Sequence, residues 1–144
     1  MASQKLIRAF DLGVVVPTLA VLTAVDPRLG VLPARQLLVM TAVHESNGFD
    51  APLQYGGGPA RSYFQIEPVT FRSLLEHEIQ PSWVKALDDL VPQEVLAATP
   101  GRGIERLADH LVWNDWLACA VARLKYFTVP RALPAAGDWP ALSA

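Results

Sequence analysis

Residues 33 to 46 read Pro-Ala-Arg-Gln-Leu-Leu-Val-Met-Thr-Ala-Val-His-Glu-Ser, and Asn47-Gly48 follow. Proline is tolerated in the first turn of a helix, where its missing N–H would have no intrahelical acceptor. Asn-Gly supplies the conformations that end one. Between them no residue breaks a helix, and Leu38, Ala42 and Glu45 fall at i, i+4 and i+7 on one face, flanked by Leu37, Met40 and Thr41. This stretch predicts a helix from Pro33 to about Ser46 with an apolar face that needs a core.

The rest of the chain reads the same way. Residues 4 to 10 and 14 to 25 predict helices broken near Gly13, and Asp26-Pro27 with Gly30 predicts a turn. Residues 49 to 61, with Pro52, Gly56 to Gly58 and Pro59, are expected to be loop. Short helices separated by prolines are predicted over Pro68 to about Glu78, Ser82 to Leu90 and Gln93 to Ala98, with a turn at Thr99-Pro100-Gly101. Gly103 to Phe127 is the longest helical stretch, with a break near Asn114, where Asn114 or Asp115 would cap a second segment. From about residue 130 the tail is expected to be irregular. Strand patterns are absent apart from a short extended piece at Ser62 to Ile66. The expectation is an all-α orthogonal bundle forming a single domain over residues 1–144.

Composition agrees. At 144 residues the chain can bury a sizeable core, and with 51% apolar and 18% charged residues it is globular. A net charge of −2 gives no reason to expect nucleic acid as a partner. Cys119, the one cysteine, lies in Leu-Ala-Cys-Ala-Val-Ala and reads as a small buried apolar residue. Four tryptophans suggest a stacking surface as well as a core. Lys5 and Arg8 ahead of the apolar run Leu12 to Val25 faintly resemble a secretory signal, but Asp11 and Pro17 weaken it. The run is also shorter than the roughly 20 residues of a membrane span. It is read as a buried, proline-interrupted helix, with no membrane span. Without an export signal, the protein would reach a cell wall through a pore or on a particle.

Chemistry concentrates between His44 and Thr70. Glu45 ends the apolar face, where a carboxylate is expected to be partly withdrawn from water, and desolvation disfavours its charged form. A glycosidic oxygen needs a proton donor as its bond breaks, so an acid of this kind suits glycoside cleavage. The bland alternative is a solvated glutamate at a helix end, a place the helix dipole disfavours for negative charge. Glu67 is the candidate second carboxylate, with a helix-capping role equally open, and Asp50 reads better as a turn residue. Gly56 to Gly58 either let backbone approach a bulky ligand or make a tight reversal. Of Tyr63 and Phe64, one is expected to stack on a sugar and one to pack in the core. The three histidines, including His44 and the Glu76-His77-Glu78 triplet, lack metal-binding spacing and are expected at the surface or in supporting positions. No metal and no cofactor are expected.

Glu45-Ser46, the run Gly58-Pro59-Ala60-Arg61-Ser62-Tyr63-Phe64-Gln65 and Pro68-Val69-Thr70 resemble the lytic transglycosylase and goose-type lysozyme superfamily. The likeness is closer to small phage-encoded lysozyme-like proteins, which carry a Gly-Gly-Pro-Ala-Arg segment after the catalytic glutamate. Asp115-Trp116-Leu117 through Ala122-Arg123-Leu124, ahead of a proline-rich end, also resembles them. The resemblance covers most of the chain, with a specific centre of about 25 residues. It implies a lysozyme-like fold, peptidoglycan glycan strands as substrate and Glu45 as general acid at the bond between N-acetylmuramic acid and N-acetylglucosamine. Ser46 and Gln65 would position the sugar or its peptide, with Gly58, Tyr63 and Phe64 around it. In transglycosylases one glutamate serves as acid and then base, and no second carboxylate is needed.

Ser62 stands where these families often have glycine. The chain ends at Ala144, where relatives commonly continue with an aromatic segment lining the cleft; the departure implies either a truncated cleft with weakened or lost activity or a cleft completed by another chain. The resemblance further implies synthesis in a host cytoplasm, then a place in a virion or at the bacterial wall. An alternative is a structural tail or baseplate component with this fold and little catalysis, contacting other virion proteins.

Overall fold

The computed structural model describes residues 4–45, 64, 66, 71–74, 81–99, 107, 110–111 and 113–127. Of these, 87% are helical and none lies in a strand, so the protein is all-α. The helices are α1 (Gln4–Phe10), α2 (Val16–Val25), α3 (Leu32–Glu45), α4 (Pro81–Asp89), α5 (Gln93–Ala98) and α6 (Asp115–Phe127). Residues 71–74 form a further helical turn, and Ile66, in the piece expected to be extended, makes an isolated β-bridge.

The predicted break at Gly13 is not a break. A π-helical turn, Asp11–Val15, joins α1 to α2 into one continuous helix. The cause is Pro17, second residue of α2. Its ring carries no N–H and crowds the carbonyl four residues back, that of Gly13, so the ladder widens there. The freed Gly13 carbonyl accepts from the indole Nε1 of Trp116, at 2.9 Å, on α6. A local defect in one helix thus becomes a tie to another, 103 residues away.

This N-terminal helix is also less buried than expected. Val15, Thr18, Leu19 and Leu22 face the core, where α2 packs against α6 and α4. Leu12, Val16, Ala20 and Ala24, spaced four apart, form an exposed apolar stripe. Gln4–Val25 is long and apolar enough to cross a membrane, which core helices and signal sequences also are.

At Asp26 the chain reverses as predicted. The Asp26 carboxylate accepts from the Arg28 backbone N–H at 3.0 Å, capping a 3-10 turn, Pro27–Gly30. Gly30 is needed there, because a Cβ would overlap the Thr23 hydroxyl and lie 3.2 Å from the Thr23 Cβ. Only glycine lets the turn fold back so closely onto α2. The turn is then bolted to α6: buried Arg123 donates to the Leu29 carbonyl at 2.7 Å and to the Arg28 carbonyl at 3.1 Å.

Helix α3 runs from Leu32 with Pro33 in its first turn. Arg35 donates twice to the Asp11 carboxylate, at 2.9 and 2.7 Å, pinning α3 to the π turn. α6 begins where expected. Asn114 is its N-cap, accepting from the Leu117 N–H at 3.0 Å, while its amide donates to the Leu90 carbonyl at 2.9 Å. From Leu117 to Leu124 every residue of α6 is buried, making it the central helix of the described core. Cys119 lies within it, fully buried, and burial pushes its thiol pKa up. It is a packing residue, as expected, and no nucleophile.

Candidate functional site

Glu45 is the last residue of α3, one step beyond Leu38 and Ala42, both wholly buried. The face on which it was placed does lead into the core, but Glu45 itself is exposed. The partial desolvation expected of this carboxylate is not found, because the face emerges from the core one turn after Ala42.

Beside it is a group that sequence reading missed. Tyr126, in the last turn of α6, lies 2.6 Å from Thr41, hydroxyl to hydroxyl. Thr41 spends its proton on the Leu37 carbonyl, at 2.8 Å. A hydroxyl has one proton to give, so Tyr126 is the donor of the pair and the lone pairs of its oxygen are left as acceptors. Burial raises the Tyr126 pKa, and the negative charge of Glu45 adds to the rise. Glu45 therefore lies within electrostatic reach of a phenol that keeps its proton at neutral pH. Thr41 and Glu45 share a face at i and i+4, a spacing visible in the sequence. Nothing in the sequence indicated that Tyr126, 81 positions after Glu45, would meet them.

The other predicted site residues divide in two. Phe64 is buried in the core, its ring centroid 5.8 Å from that of Phe10. It packs in the core, which corrects its expected place against a sugar. Ser46, Asp50, Gly58, Tyr63, Gln65 and Glu67 lie outside the described residues.

Two of the histidines are described. His44 is exposed, as expected, but His110 is buried. Its Nδ1 accepts from the Trp113 indole at 3.0 Å, so its Nε2 carries the proton and donates to Thr99 Oγ1 at 2.9 Å. Thr99 in turn donates to the Val95 carbonyl at 2.7 Å. No grouping of three or more metal-ligating side chains occurs among the described residues. Of the described tryptophans, Trp83 is in the core, whereas Trp113 and Trp116 are 52% and 48% exposed.

No family model matches the chain, and no characterised protein or solved structure does so either.

Proposed function

We propose that this protein is a lysozyme-like enzyme that cleaves peptidoglycan between N-acetylmuramic acid and N-acetylglucosamine, with Glu45 as general acid. The observation that carries the proposal is the setting of Glu45: a carboxylate open to a ligand, at the end of a core helix, next to the Thr41–Tyr126 hydroxyl pair. The resemblance around Glu45-Ser46 and Gly58 to Gln65 supplies the substrate class.

A glycan strand laid over Glu45 removes the water that now reaches it, so desolvation arises on binding. The protonated carboxyl gives its proton to the glycosidic oxygen while the bond from that oxygen to the muramic C1 breaks. Glu45, now a carboxylate, takes a proton from the incoming nucleophile. In transglycosylation that nucleophile is the muramic C6 hydroxyl, and in hydrolysis it is water. The Tyr126 oxygen, its own proton committed to Thr41, offers an acceptor to the protonated acid. Ser46, Gly58, Tyr63 and Gln65 are the proposed substrate contacts, and Glu67 becomes the water-activating base only in the hydrolytic case.

Glu45→Gln tests this: wall-lytic activity should vanish with the thermal unfolding curve unchanged. A variant that clears walls as fast as the parent removes Glu45 from the mechanism. Mass spectrometry of the digest then separates anhydro-muropeptides, which mark transglycosylation, from reducing ends, which mark hydrolysis.

The exposed apolar stripe on the N-terminal helix, with Leu6, Val31 and Leu32 also exposed, favours a second reading, a virion component that docks a neighbour. Stoichiometric copies in purified particles together with no products from isolated peptidoglycan would establish it in place of the first.

A further inference from the structure

A cavity of about 260 Å³ lies where α6 begins, bounded by Gly13, Val14, Pro92, Trp113, Asp115 and Trp116. We propose that it is a saccharide-binding site, distinct from Glu45, in which the two tryptophans supply stacking faces and Asp115 accepts from sugar hydroxyls.

Tryptophan left half in water forgoes a large burial gain, and here two do so beside one cavity. Neither is loose. The Trp116 indole N–H is held by the Gly13 carbonyl that Pro17 frees. The Trp113 indole N–H is held by His110, itself fixed through Thr99 to α5, and the imidazole packs edge-on against the Trp113 ring, at 5.2 Å and 87°. The indole N–H of each is thus satisfied within the protein, which leaves its carbon ring to meet a ligand. Rings fixed before binding lose little rotamer freedom when a ligand arrives. Flat apolar faces of this kind suit the C–H face of a pyranose ring.

The polar partner is Asp115. It is half-buried, and burial raises its pKa, with no hydrogen bond to the carboxyl working against the rise. A carboxylate partly withdrawn from water and with no protein donor is well placed to accept from two neighbouring sugar hydroxyls. Asn114, also on the cavity wall, is already committed to Leu117 and Leu90. The cavity volume is near the lower end of small-molecule sites, which fits one ring of a strand. No ring contact links Trp113 to Trp116, so the two rings stand apart along the cavity wall, a spacing that suits an extended chain. A closed cage for a small cation would bring them together. That the strand is peptidoglycan rests on the proposed function; the site itself does not.

The test titrates the full chain with N-acetylglucosamine tetramer, following the indole N–H resonances of Trp113 and Trp116 by NMR. Saturable shifts of both are expected, with affinity weakened about tenfold in Trp113→Ala, Trp116→Ala and Asp115→Asn and unchanged in Glu45→Gln. Trp116→Phe keeps a ring without the anchoring N–H, so it should bind better than Trp116→Ala, and its unfolding curve guards against misreading a folding defect. Absence of saturable binding, or binding that all three variants leave intact, overturns the site. So does tighter binding of tetramethylammonium at the same resonances, or sedimentation showing a dimer that Trp113→Ala and Trp116→Ala both dissociate. Wall cleavage by the parent without tetramer binding removes this site and leaves the role of Glu45 standing. Binding with no cleavage does the reverse.

Discussion

Replacing Asn114 by alanine removes two hydrogen bonds made by one buried side chain. Its carbonyl oxygen caps α6 through the Leu117 N–H, and its amide nitrogen satisfies the Leu90 carbonyl just beyond α4. Loss of an N-cap costs about 1 kcal/mol, within a range of roughly 0.5–2. A buried acceptor left without its donor costs about 1–3 kcal/mol. Water cannot easily substitute, since Asn114 is only 3% exposed. The two losses together give about 2–4 kcal/mol for Asn114→Ala. For a chain near this length each kcal/mol moves Tm by about 2–4 °C, so a fall of roughly 4–16 °C is expected.

Two further substitutions separate the contributions. Asn114→Ser keeps a capping oxygen but cannot span to Leu90, and should lose about half as much as alanine. Asn114→Asp keeps the cap and loses the donor, while burying a carboxylate beside Asp115 and the Leu90 carbonyl. It should be the least stable at pH 7 and regain stability in acid, where a protonated carboxyl can again donate. Urea unfolding of the four proteins at pH 7, repeated at pH 4, reads all of this. If serine and alanine prove equally costly, the cap contributes nothing. A loss under about 1 kcal/mol for alanine would refute the two-bond account altogether.

Tyr126 sets an alkaline limit. Its pKa is raised in the folded state, so its stabilising share is complete below the unfolded value of about 10 and is lost as pH rises through the folded value. Tyr126→Phe should give a flatter urea midpoint between pH 9 and 11 than the parent, and parallel curves would contradict the assignment. Arg123→Ala should cost about 3 kcal/mol, since it leaves a cavity and orphans the Leu29 carbonyl. Arg123→Met fills the space and relieves a buried guanidinium whose Nη1 has no partner, so its loss should be smaller by about 1 kcal/mol or more; equal losses by denaturant titration would count against this. Gly30→Ala should destabilise by about 1–3 kcal/mol through overlap with Thr23. Adding Thr23→Ala should recover part of that loss, whereas Thr23→Val, the same shape as threonine, should recover none; thermal melts of the double variants decide.

Where local rules act alone, sequence and structure agree closely. Gln93–Ala98 has the predicted ends, Asn114 caps the helix it was expected to cap, and the Asp26-Pro27 reversal lies in place. Each depends on groups within four residues, whose chemistry is written in adjacent letters. Gly13 misled because glycine and a nearby proline usually signal a break. The helix continued because a π turn absorbed the proline and Trp116 took up the freed carbonyl.

The candidate site divides along the same line. That Glu45 ends a helix face continuous with the core followed from spacing alone, as did the burial of Cys119. That Glu45 is exposed, that Tyr126 meets Thr41 beside it, and that Trp113 and Trp116 share one cavity were decided by tertiary structure. Periodicity tells which side of a helix is apolar, but not where along that side the core ends. Contacts such as Gly13 with Trp116 or Thr41 with Tyr126 join residues 85 or more apart. Such pairs come into being only when whole helices pack, because nothing short of that packing brings the two ends of the chain's chemistry together.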